Sequence, residues 1–117
     1  MALAQIDAEY LIFDAMLAVQ ELSWASRLPS LVIDLVELDR DLTEFYYLLD
    51  TFKGLVYNCY VSNNTPDKAI VAFNKLAPKL ESIQEKLKIH EKKFRNFSIA
   101  QRQLNDLWKF KEHFNIT

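Results

Sequence analysis

Residues 30–61 place apolar side chains at Leu31, Leu35, Leu38, Leu42, Phe45, Leu49, Phe52 and Val56, in unbroken steps of four and three. That is the a/d period of a helix packed along one seam in a left-handed bundle or coiled coil. Residues 66–95 repeat it at Ala69, Phe73, Leu76, Leu80, Ile83, Leu87, His90 and Phe94. Turn chemistry separates the two at Ser62-Asn63-Asn64-Thr65-Pro66 and recurs at Leu28-Pro29-Ser30 and Asn96-Phe97-Ser98. Thr65, Pro66 and Asp67 read as an N-cap, a first-turn proline and a first-turn acid. Ser98 with Gln101 fits a capping box. The pattern predicts helices over 3–26, 30–61, 66–95 and 98–114, and no strand.

Folding the second helix against the third about the 62–65 turn aligns both seams. Val56 meets Ala69, Phe52 meets Phe73, Leu49 meets Leu76, Phe45 meets Leu80, Leu42 meets Ile83 and Leu38 meets Leu87. Leu35 then meets His90, and Leu31 meets Phe94. The flanks agree with this register. Asp34, Glu37, Asp41 and Glu44 form an acidic face within about an 80° arc beside the first seam, and Lys68, Lys75, Lys79, Lys86 and Lys93 line one flank of the other. The hairpin brings Asp34 to Lys93, Asp41 to Lys86, and Asp50 to Lys75 or Lys79. Such pairs select register more than they stabilise.

The first helix is apolar over much of its circumference, with Leu3, Ile6, Tyr10, Phe13 and Leu17 on one side and Leu11, Ile12, Met16 and Val19 on others. A surface helix shows a single stripe, so this one is either central or covered by a second molecule. The fourth presents Ala100, Leu104, Leu107, Trp108, Phe110 and Phe114. At 1.5 Å per residue the hairpin helices run roughly 45–50 Å, the first roughly 36 Å and the last about 25 Å. The outer two should therefore leave the hairpin tip uncovered, exposing Phe52, Val56, Tyr57, Tyr60, Ile70, Val71 and Phe73 as a partner-binding surface. The alternative is that Gly54 ends the second helix early and 55–61 folds back over the tip. Pro78 should kink or break the third helix.

Composition bounds the rest. Half of the 117 residues are apolar, about a quarter are charged, and there is one glycine. That suits one helical domain over 1–117 and opposes an all-β fold or disorder. No apolar run is long enough to span a membrane. Asp7, Glu9 and Asp14 interrupt the N-terminal apolar stretch, so no signal peptide is expected. The lone Cys59 excludes an intrachain disulfide and suits a reducing, cytoplasmic setting. The net charge of −2 conceals a split: residues 1–65 hold ten acids and three bases, and residues 66–117 hold six acids and eleven bases. The hairpin pairing accounts for much of that split.

Chemistry is mostly excluded. The histidines are His90 and His113, with Leu87 and Phe110 three residues before them, so the Glu-x-x-His of di-iron bundles is missing. One cysteine cannot build structural zinc. A single glycine rules out P-loops, G-x-G-x-x-G and G-x-S-x-G. Cys59 has no basic neighbour in sequence and reads as a packed thiol. Asn63, Asn96 and Asn115 begin Asn-x-Ser/Thr triplets and read as turn and cap residues, not glycan sites. From Lys86 to Arg102, basic residues alternate with Phe94 and Phe97, a footprint compatible with nucleic acid. Glu37 and Asp41 could mimic phosphates towards a basic protein, as an inhibitor does. His90 is followed by Glu91, Lys92 and Lys93, and a four-helix domain of this size with His-x-x-Lys resembles the histidine phosphotransfer domains. The resemblance implies a phosphoacceptor at His90 and a helper at Lys93. It departs from the family at Phe94, where those domains carry a glycine.

The expected fold is all-α, an antiparallel four-helix bundle built around a long coiled-coil-like hairpin. The expected function is a non-catalytic protein-interaction module, such as a small adaptor, inhibitor or immunity-type protein. Its binding residues would be Phe52, Val56, Tyr57, Tyr60, Ile70 and Phe73, with the acidic face or the apolar face of the first helix. The partner would be another protein or a second copy as a homodimer, with no cofactor, metal, membrane or small-molecule substrate. Nucleic-acid binding through the basic C-terminal half and phosphotransfer at His90 are the alternatives.

Overall fold

The computed structural model describes residues 3–26, 33–62, 65–93 and 97–116; the side chains of 33–35 and 93 lie outside that description. The helices are α1 (Gln5–Ser26), α2 (Ile33–Val61), α3 (Asp67–Ile89), α4 (Phe97–Asn105) and α5 (Lys109–His113). A 3-10 turn over Asp106–Trp108 joins α4 to α5, so these three pieces form the fourth arm of an antiparallel four-helix bundle. Among the described residues there is no strand. α1 packs on α2 and α4, and α3 packs on the same two, which sets α1 and α3 on one diagonal. The molecule is a rod of 48 × 23 × 20 Å. Its long axis is little more than α2, whose 29 residues span about 43 Å.

The seams close as their spacing predicts. Leu38, Leu42, Phe45, Leu49, Phe52 and Val56 of α2 are buried, as are Ala69, Phe73, Leu76, Leu80, Ile83 and Leu87 of α3. Phe52 and Phe73 face each other at 5.7 Å between ring centroids. Lys86 bridges to Asp41 and Lys79 to Glu44, two pairs that straddle the predicted register from either side. Asp50 turns instead to Lys53 on its own helix, at 3.8 Å. The pairings of Leu31, Leu35, Asp34, Lys93 and Phe94 lie outside the described residues or side chains.

Several local expectations are corrected. Gly54 does not end α2, which continues to Val61. Pro78 lies inside α3 without breaking it. The start of α3 moves by one residue: Pro66 is the N-cap, and its carbonyl accepts from Ile70 N–H at 2.9 Å. Gln101 makes no capping box. Its amide crosses to the Gln84 carbonyl of α3 (3.2 Å), while Trp108 Nε1 donates to Gln84 Oε1 (2.9 Å). α3 stops at Ile89, with His90 as a half-buried C-cap. The chain ends on a Schellman-type turn. Asn115 takes φ 54°, and Ile116 N–H reaches the Lys111 carbonyl at 2.8 Å.

The early stop of α3 overturns the uncovered tip at Phe52, Val56 and Phe73. Because α3 ends before residue 95, α4 starts more than one helical turn nearer the tip, and α5 reaches it. Phe110 and Phe114 lie 5.0 and 6.4 Å from the Phe52 ring, and Trp108 lies 6.1 Å from Phe73. On the other side Tyr60 donates to the Leu3 carbonyl at 2.8 Å. No folded-back 55–61 covers Phe52, Val56 and Phe73; the chain's first and last described elements do, while Tyr57 and Val71 stay exposed as expected.

Candidate protein-docking face

The residues expected at the tip separate on inspection. Phe52, Val56 and Phe73 are buried in the core, with no surface left for a partner. Ile70 and Tyr60 are half-buried, and the Tyr60 hydroxyl is engaged by Leu3. Tyr57 alone of the six is exposed, and it lies in a groove between α1 and α2. The acidic face divides in the same way. Asp41 and Glu44 hold lysines of α3, Glu37 is exposed, and the side chain of Asp34 lies outside the description.

What the structure leaves open is the outer face of α1. Its inward side buries Ala8, Ile12, Ala15, Val19 and Leu22. Its outward side carries Ile6, Tyr10, Phe13, Leu17 and Trp24, each between 41 and 76% exposed. These five occupy positions of one a/d row, within an arc of about 60°. Isolated exposed apolar residues are ordinary, but an aligned row of large ones is not. Across the groove, α2 presents its own outward row at the same spacing: Thr43, Tyr47, Asp50, Gly54, Tyr57 and Val61, all exposed. Two open grooves run between the rows. One, of about 570 Å³, is lined by Ile6, Tyr10, Phe13, Lys53, Gly54 and Tyr57 among others. The second, of about 650 Å³, lies further along, between Trp24 and Tyr47. Gln20 Nε2 to the Tyr46 hydroxyl (3.3 Å) and Ser23 Oγ to the Asp39 carboxylate hold the helices together beneath it.

Gly54 is the chain's one glycine and sits inside a helix. A Cβ built there meets nothing within 4 Å. Glycine inside a helix costs about 0.5–1 kcal/mol relative to alanine, and nothing among the described residues requires it. On the α1 side of this face the charges are one-sided, whereas α2 contributes Lys53, which lines the groove with Asp50 3.8 Å away, and the exposed Arg40 one step before Thr43. α1 contains Asp7, Glu9, Asp14 and Glu21 and no base. Asp7, Asp14 and Glu21 recur at seven-residue spacing along one flank of the apolar row. Among the described residues none of these three has an ion-pair partner.

Elsewhere the chemistry is quiet. The Cys59 thiol donates to the Leu55 carbonyl (3.3 Å), and burial pushes its pKa up, keeping it a thiol. His113 Nδ1 accepts from Leu3 N–H (2.8 Å), which places the ring proton on Nε2, 3.4 Å from the Tyr60 hydroxyl. Burial pushes its pKa down. Lys86, in the basic segment, is held by Asp41, whereas Lys88, Lys92 and Arg102 are exposed. Phe97 packs against the core, and Phe94 lies outside the described residues. Among those residues no three His, Cys, Asp or Glu side chains gather as metal ligands, and no helix is long and apolar enough to cross a membrane.

Sequence reading named Leu3, Ile6, Tyr10, Phe13 and Leu17 as one side of the first helix; Leu3 instead packs against the core, Trp24 and Tyr47 were missed, and Gly54 was read only as a possible end of the second helix. One heptad beyond Leu17 reaches Trp24, and stepping back from Tyr57 by three, four and three reaches Gly54, Asp50 and Tyr47. No protein-family model matches the chain, and neither a curated protein nor a solved structure matches it.

Proposed function

We propose that the chain is a non-catalytic protein-interaction module that engages its partner across the α1/α2 face. The observation that carries this reading is the row Ile6, Tyr10, Phe13, Leu17 and Trp24, exposed along a helix whose opposite side is already buried. A helix apolar on both sides is at home between two layers, and the described residues supply only one of them. The free Cys59 speaks for a reducing compartment such as the cytoplasm. An adaptor or an inhibitor would each use such a face.

Site-directed photo-crosslinking tests it. A photoreactive side chain at Phe13 should give an adduct with a discrete protein in cells that express the chain. The same group at Arg102, on the far side of the bundle, should not. Adducts of equal yield from both positions, or nucleic-acid adducts from Arg102 alone, would overturn the assignment in favour of non-specific contact or of the basic half.

A further inference from the structure

The occupant of this face can be specified further, an inference that rests on the docking face proposed above. We infer that the partner segment is an amphipathic α-helix with a basic flank, laid lengthwise along the α1/α2 groove and closest to this chain over Gly54. Three observations carry it.

The rows Ile6–Tyr10–Phe13–Leu17–Trp24 on α1 and Tyr47–Gly54–Tyr57–Val61 on α2 share one a/d spacing. A helix with anchors at i, i+3, i+4 and i+7 fits between two such rows. From Ile6 to Trp24 the apolar row, which passes both grooves, is about 27 Å long, which asks for about 18 residues of partner helix. Gly54 lines one of the two grooves between Lys53 and Tyr57. There α2 forgoes the better helix former although a Cβ would meet nothing. An absent side chain with empty space above it lets another backbone approach closely.

Charge selects among occupants. Asp7, Asp14 and Glu21 run beside the apolar row, Glu9 lies on its other flank, and α1 offers no base; on α2, Lys53 is offset by Asp50 at 3.8 Å and Arg40 is exposed, so the four acids of α1 outnumber the bases of the face. A second copy packed α1 on α1 would set acidic rows against each other, and an anionic lipid surface would be repelled. A Lys/Arg-flanked helix meets this face with complementary charge.

The test uses three fluorescent peptides of about 18 residues. They are an a/d leucine stripe with Lys/Arg flanks, the same stripe with Glu flanks, and the basic peptide with its stripe scrambled. Anisotropy should show the basic striped peptide binding at least tenfold tighter than either control, with affinity falling as salt rises. Gly54→Leu should weaken it at least tenfold without disturbing the fold, because the site above residue 54 is open. Asp7→Asn/Asp14→Asn/Glu21→Gln should weaken it severalfold. Glu81→Gln/Glu85→Gln/Glu91→Gln, exposed acids on α3 and the turn that follows it, should not. Equal binding of the basic and acidic stripes, or indifference to Gly54→Leu, overturns the basic-helix inference. A Phe13 crosslink that persists in either case leaves the docking face standing. A wild-type dimer in light scattering that Phe13→Ser converts to a folded monomer makes the occupant a second copy and overturns it too.

Discussion

Two heptad rows of this molecule look alike in sequence and meet opposite fates. The α2 seam from Leu38 to Val56 is shut, each of its a/d positions no more than 1% exposed. The α1 outer row from Ile6 to Trp24 stands open. The seam has a matching row on α3, a short turn to deliver it, and lysines on α3 that meet acids on α2. The outer row has none of these among the described residues: its nearest counterpart there, on α2, lies beside it rather than over it. Periodicity therefore announces that a stripe will be covered, but only a complementary row in the same chain shows that the chain itself does the covering.

The contrast is most exposed to test in stability. Phe52→Ala should cost about 3–5 kcal/mol in urea unfolding, because it empties the point where Phe73, Phe110 and Phe114 converge. Phe13→Ser on the open row should change stability by less than about 0.5 kcal/mol. Similar losses at the two sites would mean that the outer row is covered within the chain. The next largest effect has the opposite sign: Gly54→Ala should stabilise by about 0.5–1 kcal/mol, seen as a higher Tm. A lower Tm would show that something occupies the space above residue 54.

Smaller still is the hairpin's ion pair. Asp41, through its hydrogen bond, holds the Lys86 pKa above its ordinary value, yet both side chains keep solvent access. Lys86→Met should cost less than about 1 kcal/mol, and a double-mutant cycle with Asp41→Asn should give a coupling that shrinks in high salt. The least effect is a pH slope at the closed tip. His113 has its pKa lowered below the ordinary 6.5 by burial, so the unfolded chain binds more protons than the native one as pH falls past that value. The stabilisation is complete above about pH 6.5 and is lost as pH falls through the native pKa. Protonation at Nδ1 would also remove the acceptor for Leu3 N–H. Urea midpoints from pH 7.5 to 5 should fall in the wild type and fall less in His113→Gln.

Much of the architecture was legible before the structure because it rests on local signals. The seam positions, the hairpin register and the Asp41–Lys86 pair all follow from spacing and one turn. The tip was misjudged because its exposure depended on where α3 stops, and no proline or glycine marks that stop. Ending at Ile89 rather than near 95 shifts the fourth arm along the rod and turns Phe52, Val56 and Phe73 from surface into core. The open face was half-legible. The surplus of apolar residues on the first helix was plain. Its alignment with Tyr47 and Tyr57 on α2 required knowing which side of α2 borders α1.

Hydroxyl-radical footprinting, comparing the protein inside expressing cells with the purified chain, tests the open face most directly. The account predicts that Tyr10, Phe13, Trp24, Tyr47 and Tyr57 lose reactivity together in the cell, while half-buried Tyr60 and Trp108 label equally in both. Equal labelling of the row in cell and tube, or protection centred on the α3/α4 side, would contradict it.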